Sequence, residues 1–250
     1  MEHRFEHLFS AQSDAYSANR PTYDRALFAW LAERSPATAL AWDCGCGSGQ
    51  ATRDLAQCFE RVIATDINAG QLSHAPELPN VDYRREPAEA VSIDDASVDL
   101  TFVAQALHWF DADRFYEEVR RVSKPRALLA VLSYNVCTIS PELDALVWEL
   151  YRDRVGPYWA AERRHVETGY ADIPFPFETM EAPDAVLAVS WDLPRLLGYM
   201  ESWSAVASYR RATGNDPVEA MREAFTQAWG EPGSCRRVAW PLTIKVGVVA

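Results

Sequence analysis

The feature that most constrains the fold is a glycine-rich turn between a predicted strand and a predicted helix. The apolar residues 39–42 are typical of a short buried strand, and residues 51–59 have the spacing of an amphipathic helix. The chain between them contains Asp43-Cys44-Gly45-Cys46-Gly47-Ser48-Gly49. Glycine tolerates positive φ and has no Cβ, so a ligand can approach the backbone here, where the amides of a helix N-terminus are free to donate. The turn therefore predicts an α/β protein with a ligand at this point.

The spacing of the glycines argues against a dinucleotide ligand. A dinucleotide fingerprint requires glycine at its first, third and sixth positions, whereas the sixth position counted from Gly45 is Gln50. The pattern here is an acid followed by three alternating glycines. An NAD-dependent oxidoreductase is therefore a disfavoured alternative, which binding of a nicotinamide cofactor would revive.

This Asp-x-Gly-x-Gly-x-Gly pattern resembles the nucleotide loop of the class I S-adenosylmethionine (SAM)-dependent methyltransferases. The resemblance implies SAM as the cofactor, S-adenosylhomocysteine as the product, and a cofactor-binding loop of Gly45, Cys46, Gly47 and Gly49. SAM carries an ammonium and no phosphate, whereas NAD presents a pyrophosphate to the helix N-terminus. Asp43, at the strand end, is then placed to meet the positive charge, directly or through water. The simpler alternative is an ordinary glycine-rich turn with an aspartate cap.

The alternation of apolar runs and amphipathic segments predicts an α/β fold. Strands are predicted at residues 39–42, 61–66, 81–85, 97–104, 128–132, 186–191 and 238–246. Together with the resemblance, this pattern implies a doubly wound, Rossmann-like, seven-stranded methyltransferase sheet with helices on both faces. The last two strands are expected to form an antiparallel, hairpin-like edge, where Pro241 is better tolerated than in a central strand.

Residues 135–183 interrupt this alternation with a helix and an aromatic- and proline-rich stretch. In this fold an insertion after the fifth strand often builds a cap over the substrate. We therefore divide the chain into a SAM-binding core with an N-terminal lid (1–134), a small helical and aromatic cap (135–183) and a completion of the core sheet (184–250). Most of the cap aromatics must form the core of that subdomain.

The N-terminal stretch carries a second resemblance. Residues 16–23 read Tyr-Ser-Ala-Asn-Arg-Pro-Thr-Tyr, which is similar to the Tyr-x-x-x-Arg-Pro-x-Tyr opening of the methyltransferase type 11 proteins related to trans-aconitate methyltransferase. In such proteins this segment commonly folds over the cofactor. By that resemblance Tyr16 and Arg20 are cofactor-binding lid residues, with Arg20 at the SAM carboxylate and Tyr16 also a candidate catalytic residue. The alternative is a solvated arm with Tyr16 packed on the core.

Two strand ends are expected to hold the adenosine part of the cofactor. Asp66 lies 21 residues after the first glycine, near the spacing at which an acid binds ribose hydroxyls in doubly wound folds. Its alternative role is an N-cap of the next helix. Ile67 would face the adenine. Many members of the family that this chain resembles carry an acid where this chain has a proline before Ala88. Adenine recognition is therefore expected to fall to the Ala88 backbone, with Glu86 or Glu89 assisting.

The segment after the fourth strand is expected to border both ligands, because the crevice of an open α/β sheet lies at the carboxyl ends of its strands. Residues 105–111, Gln-Ala-Leu-His-Trp-Phe-Asp, resemble the same subgroup. The resemblance implies Gln105 near the methionine part of SAM, with His108 and Trp109 at the acceptor. Residues 192–206 also resemble it and would place Trp203 at the substrate. His108 as a catalytic residue competes with a packed core histidine.

Composition argues against several other partners. A formal net charge of −12 disfavours duplex nucleic acid, whose phosphates require clustered Lys and Arg. No apolar run is long enough to span a bilayer and the N-terminus lacks the apolar core of a signal peptide, so we expect a cytoplasmic protein with no membrane partner. Five scattered cysteines indicate no disulfide framework, and Cys44 and Cys46 have no second pair at zinc spacing, so no metal is expected.

The implied reaction is an attack by a nucleophile on the sulfonium methyl of SAM, in which the protein chiefly positions the reactants and excludes water. The subgroup points to a small-molecule acceptor with a carboxylate, which needs no general base. A neutral hydroxyl or amine would need one, and His108, Tyr16 and His165 are the candidates.

An anionic acceptor would also need arginines that face the pocket. The candidates are Arg20, Arg152, Arg154, Arg163 and Arg164. The competing hypothesis from another class is a non-catalytic SAM-binding protein, which would have no accessible cavity beside the methyl group.

Overall fold

Nine strands form two sheets in the computed structural model, which describes residues 23–250. The strands are β1 (Leu40–Cys44), β2 (Arg61–Thr65), β3 (Val81–Arg84), β4 (Val98–Ala104), β5 (Ser123–Ser133), β6 (Glu178–Met180), β7 (Val186–Trp191), β8 (Arg236–Pro241) and β9 (Thr243–Val248). The central sheet has seven strands in the order β3-β2-β1-β4-β5-β9-β6. Strands β1 to β5 are parallel, and β9 is antiparallel to both of its neighbours. The predicted seven-stranded α/β fold is confirmed.

Helices cover both faces of this sheet, as the pattern predicted. They are α1 (Arg25–Arg34), α2 (Thr52–Cys58), α3 (Ala69–Leu72), α4 (Ala112–Val122), α5 (Pro141–Trp148), α6 (Arg163–Glu167), α7 (Leu193–Glu201), α8 (Ser204–Thr213) and α9 (Arg222–Trp229). Successive residues of β5 pack into opposite cores, since Leu128 belongs to the core that contains Phe28 and Leu129 to the core that contains Phe115. Across residues 23–250, the helices are too short or too polar to cross a membrane.

The last two predicted strands pair antiparallel, as predicted, but their predicted place at the edge of the central sheet is wrong. Residues 186–191 pair antiparallel with residues 236–241 in a separate two-stranded sheet and not at the edge of the central sheet. The expected single strand 238–246 is divided after Pro241, because proline has no N–H to donate to a ladder. The residues up to Pro241 belong to the two-stranded sheet, and those from Thr243 onward pair with the central sheet. The edge strand of the central sheet is instead β6, which lies inside the range 135–183. The division of the chain into core, cap and completion stays a prediction.

A buried carboxylate ties together the first residues of three central strands. Asp99 is fully buried, and its Oδ2 accepts from the amides of Ala39 and Leu40 at 3.1 and 3.0 Å. The ammonium of Lys124 lies 2.8 and 2.9 Å from its two oxygens. This one side chain therefore joins the starts of β1, β4 and β5 at the end of the sheet that carries the amino termini of these strands.

We expect Asp99→Ala to lower the free energy of unfolding by about 3 kcal/mol or more, because it leaves a half-buried ammonium and two amides without their acceptor. The matched control is Asp95→Ala, which removes an aspartate whose side chain is 77% exposed from its ion pair with Arg121 and should cost less than about 1 kcal/mol. Urea unfolding of both variants makes the comparison. Equal losses would show that the Asp99 network contributes nothing beyond a surface pair.

Candidate functional site

Three backbone amides hold the glycine-rich turn against the end of β2. The amides of Gly45 and Cys46 both donate to the carbonyl of Thr65, at 2.8 and 3.0 Å. The amide of Gly47 donates to Asp66 Oδ2 at 2.8 Å. The predicted strand, turn and helix at this position are confirmed, and the turn lies at the carboxyl end of the parallel strands, where ligands bind in open α/β sheets.

Close approach and positive φ explain two of the glycines. Gly45 has a φ of +69°, and a Cβ at this position would lie 2.6 Å from the Cβ of Ala106. Gly49 has a φ of +76°, and a Cβ there would lie 2.9 Å from the hydroxyl of Tyr83. Gly49 packs against β3 in this way and does not line the cavity beside the turn. Its packing and backbone conformation therefore explain why residue 49 is a glycine.

That cavity, here called the glycine cleft, has about 1150 Å³ of empty space including its open mouth. Most of the predicted cofactor residues line it: Asp43, Gly45, Cys46, Gly47, Asp66, Ile67, Ala88, Glu89 and Gln105. Tyr16 and Arg20 lie outside the described residues. Asn68 and Gln71 also line the cleft and were not predicted. Their position within five residues of Asp66, the acid that follows β2, is the signal that could have found them.

The glycine cleft is acidic. Among residues 23–250 its wall includes Asp43, Asp66, Glu86 and Glu89 but no lysine or arginine. Asp43 is 1% exposed and accepts from the hydroxyl of Thr52 at 2.5 Å. Burial raises the pKa of Asp43 to about 7, the Asp66 charge adds to this rise, and the Thr52 hydrogen bond opposes it. The cleft therefore favours a ligand with positive charge.

Asp66 fixes two backbone segments and does not cap the following helix. Its Oδ1 accepts from the amide of Asn68 at 2.8 Å, while its Oδ2 holds the Gly47 amide. The N-cap of α3 is Asn68, whose side chain accepts from the amide of Gln71, so the alternative N-cap role for Asp66 is wrong. Burial raises the pKa of Asp66 and the two amides lower it. Each oxygen still has a lone pair for a ligand hydroxyl.

Two buried side-chain oxygens on the cleft wall have no hydrogen-bond partner within residues 23–250. They are the amide oxygens of Gln71 and Gln105. Gln105 has a φ of +56°, and its Nε2 donates to the carbonyl of Tyr134 at 2.7 Å, which leaves its Oε1 without a donor. A buried acceptor of this kind costs free energy unless a ligand or water satisfies it. Both oxygens therefore favour a ligand that brings hydrogen-bond donors.

A second cavity of about 740 Å³, here called the aromatic cavity, adjoins the glycine cleft. The two share Gln105, Trp109 and Tyr134 as lining residues. The structure thus brings together His108, Trp109 and Trp203, the three residues predicted at the acceptor. The residues that sequence reasoning did not assign to the acceptor include Asn135, Trp159 and Tyr199. They come from distant segments with no shared spacing.

Arg163 is the one residue with a formal charge among the described residues that line the aromatic cavity. Its Nη2 donates to Asn135 Oδ1 at 3.2 Å, its Nε donates to the Tyr151 hydroxyl at 3.0 Å, and its guanidinium lies 4.9 Å from the centre of the Trp159 ring. Within residues 23–250 no carboxylate lies within ion-pair distance of it.

The other described candidate arginines lie away from both cavities. Arg152 stacks on the Trp148 ring at 4.0 Å, Arg154 pairs with Glu149, and Arg164 is exposed. The candidate base His165 pairs with Asp172 at 2.8 Å and also lines neither cavity. Arg163 is therefore the one candidate arginine among the described residues that lines the aromatic cavity.

His108 is buried and neutral. Its Nδ1 lies 2.9 Å from the Tyr170 hydroxyl, and its ring is tilted against that of Trp109 at 4.7 Å. Burial lowers the pKa of His108 to about 3, and the charges of Arg163 and His165 add to this effect. An imidazole with this pKa is a weak base.

Known proteins are similar in sequence to this chain over most of its length. The methyltransferase domain model matches residues 42–131. A Dictyostelium discoideum protein named as a methyltransferase is 35% identical over 230 residues, which cover 90% of this chain and 88% of that protein. The chain belongs to the class I SAM-dependent methyltransferases.

Two further relatives agree with this assignment. The solved structure of a type II methyltransferase from Anaeromyxobacter dehalogenans is 46% identical, with a TM-score of 0.86, and the match covers 92% of this chain and 98% of that one. A Saccharomyces cerevisiae protein named as an S-adenosylmethionine-dependent methyltransferase is 25% identical across 94% of this chain and 92% of its own.

The glycine cleft of this methyltransferase fits its cofactor. SAM presents an ammonium, two ribose hydroxyls and an adenine amine as donors, and it supplies a methyl group on a positively charged sulfur. The cleft presents acceptors, namely four carboxylates and the unpartnered oxygens of Gln71 and Gln105. The pyrophosphate of NAD would instead meet an acidic wall. The individual roles of Asp43 at the ammonium and Asp66 at the ribose stay predictions.

We expect SAM binding to the methyltransferase to weaken as the pH falls from 7.0 to 5.5. Asp43 must lose its proton to hold a cation, and a pKa of about 7 means that protons compete with SAM below that pH. One such group predicts a loss of affinity of roughly 15-fold over this interval. Titration calorimetry at both pH values measures it. Asp43→Asn, which cannot titrate, should bind weakly at both; unchanged wild-type affinity at pH 5.5 would contradict the role of Asp43.

Gly45→Ala should lower the affinity of the methyltransferase for SAM by more than about tenfold, since the Cβ of an alanine at this position would overlap Ala106 and displace the cleft wall. Gly214→Ala is the matched control, because Gly214 has a similar φ of +72° but no atom within 4 Å of an added Cβ. The control should be destabilised only by the strain of an alanine at positive φ, about 1–2 kcal/mol. Calorimetry with SAM separates the two, and equal affinities would contradict the close approach at Gly45.

Proposed function

We propose that this methyltransferase transfers the methyl group of SAM to the carboxylate of a small organic acid bound in the aromatic cavity. The observation that carries the proposal is the position of Arg163, the single charged residue on the described wall of a cavity that adjoins the cofactor cleft. A guanidinium binds carboxylates with strong, charge-assisted hydrogen bonds. A single cation suits an acceptor with one negative charge.

The remaining wall indicates what the rest of the acceptor is like. Trp109, Tyr134, Trp159, Tyr199 and Trp203 line the aromatic cavity, and aromatic walls favour an apolar body with specific hydrogen bonds at its edge. We therefore propose a small molecule with an aliphatic or aromatic body and one carboxylate. This cavity, next to the cofactor cleft, also argues against a non-catalytic SAM-binding protein.

The charges of the two cavities suit this reaction. The glycine cleft is lined by carboxylates and the aromatic cavity by one cation, so each favours the ligand of opposite charge. A carboxylate is already ionised near neutral pH and needs no base to attack a methyl group. Arg163 holds and orients it, and the aromatic walls exclude water. The methyl ester formed has no charge, which weakens the hold of Arg163 on the product.

We further propose that the chain belongs to the subgroup related to trans-aconitate methyltransferase and acts in the cytoplasm. The string at 105–111, whose His108 and Trp109 line the aromatic cavity, supports the subgroup. All five cysteines are unpaired, which suits a reducing compartment.

Arg163→Gln should raise the KM for the acid by roughly 10- to 100-fold, the loss expected for a charge-assisted hydrogen bond, and leave the Kd for SAM unchanged. The matched control is Arg164→Gln, which removes the exposed neighbouring charge from the same helix and should leave both constants unchanged. Wild-type enzyme and both variants are assayed for S-adenosylhomocysteine formation with a panel of small carboxylic acids and their amides.

Turnover of acids but not of their amides is the expected pattern. Turnover of phenols or amines, with no acid consumed, would overturn the carboxylate acceptor and retain the methyltransferase. SAM binding without turnover of any acceptor in the panel would support the non-catalytic alternative.

A further inference from the structure

The hydrogen bond between Tyr170 and His108 fixes which ring nitrogen of His108 carries the proton. The Tyr170 hydroxyl lies 2.9 Å from His108 Nδ1. Tyr170 is buried, and burial raises the pKa of its hydroxyl, so the hydroxyl keeps its proton. His108 Nδ1 is the one hydrogen-bond partner of this hydroxyl among the described residues, and a buried donor is costly to leave unpaired, so the hydroxyl proton is directed to Nδ1. Nδ1 is therefore the acceptor, and the proton of the neutral ring lies on Nε2.

The second ring nitrogen is open to the aromatic cavity. His108 lines this cavity, and its Nε2 has no hydrogen-bond partner within residues 23–250. Nε2 is also not among the buried atoms that lack a partner, so it is accessible from the cavity. Arg163 lines the same cavity and is close enough for its charge to act on His108. The cavity thus contains one charged donor and one neutral donor.

We infer that His108 acts as a neutral hydrogen-bond donor that holds one carboxylate oxygen of the acceptor through Nε2–H, and that Tyr170 is the positioning residue that fixes this tautomer. This inference rests on the proposed carboxylate acceptor. It assigns to His108 a role other than that of a general base. Arg163 and His108 together would orient the carboxylate in the cavity.

The placement of Tyr170 supports a positioning role. Tyr170 is 1% exposed and has a φ of +60°, a conformation that costs free energy in a residue with a Cβ. Its backbone is held on both sides, because its amide donates to the carbonyl of His165 at 2.7 Å and its own carbonyl accepts from the ammonium of Lys245. The strained backbone directs the ring at His108, with the ring centres 5.9 Å apart.

The charges around His108 keep the ring neutral across the working range of pH. Arg163 and His165 lie on α6 and their charges act on the ring, and the hydroxyl of Tyr170, from the turn that follows, lies 2.9 Å from Nδ1. Burial and these charges lower the pKa of His108 to about 3. If His108 is a neutral donor, its titration should not change kcat/KM for the acid between about pH 6 and pH 8.

Nitrogen-15 NMR of histidine-labelled enzyme tests the tautomer without any acceptor. We expect wild-type His108, assigned by its absence in His108→Gln, to be neutral with its proton on Nε2 at pH 6 to 8. Tyr170→Phe should give a mixture that includes the Nδ1–H form. The matched control is Tyr116→Phe, because the buried Tyr116 hydroxyl has no partner among the described residues and its loss should leave the spectrum unchanged.

Kinetics with the acid then test the donor role. We expect His108→Ala to raise KM about tenfold, His108→Gln, which keeps a donor, to raise it less, and Tyr170→Phe to raise it about threefold, all with unchanged Kd for SAM. A wild-type proton on Nδ1, or an inflection between pH 6 and 8 that His108→Ala removes, would overturn the inference. If the NMR result holds but no acid is methylated, the carboxylate proposal and the donor role fail, while the tautomer assignment stands.

Discussion

The site depends on the attachment of the glycine turn to the end of β2. Gly45, Cys46 and Gly47 direct their amides to Thr65 and Asp66, so the turn after β1 is fixed by the neighbouring parallel strand. These bonds hold the turn at the carboxyl edge of the sheet and keep Gly45 against Ala106, in the segment that follows β4. Three strand ends thus meet at one cleft, whose shape follows from backbone contacts.

The two cavities differ in the charge of the side chains that line them. Carboxylates line the glycine cleft, and Arg163 is the one charge on the described wall of the aromatic cavity. Their shared wall consists of Gln105, Trp109 and Tyr134, which carry no formal charge at neutral pH. This distribution of charge suits a cationic methyl donor on one side of the wall and the proposed anionic acceptor on the other, and their mutual attraction would favour approach across it.

The cofactor half could be predicted from the sequence because its residues are local. Asp43 lies near the end of β1, Asp66 directly follows β2, and the glycines lie in one turn, so their spacing, together with the family resemblance, predicted that they come together. The lining of the aromatic cavity could not be predicted in full, since Asn135, Trp159 and Tyr199 meet only through tertiary packing. The antiparallel pairing of the last strands was predicted, but the division of residues 236–248 between two sheets was missed. The apolar pattern around Pro241 is continuous, and the division is set by hydrogen bonding that composition does not record.

The walls of the aromatic cavity come largely from chain that follows β5. Apart from His108 and the shared residues, every described wall residue lies between 135 and 204, beyond the residues 42–131 that the methyltransferase domain model matches. Substitutions in this later segment leave the hydrogen bonds of the parallel strands and the glycine turn intact. Acceptor preference can therefore diverge among descendants of one ancestor while the machinery for the methyl donor is inherited unchanged.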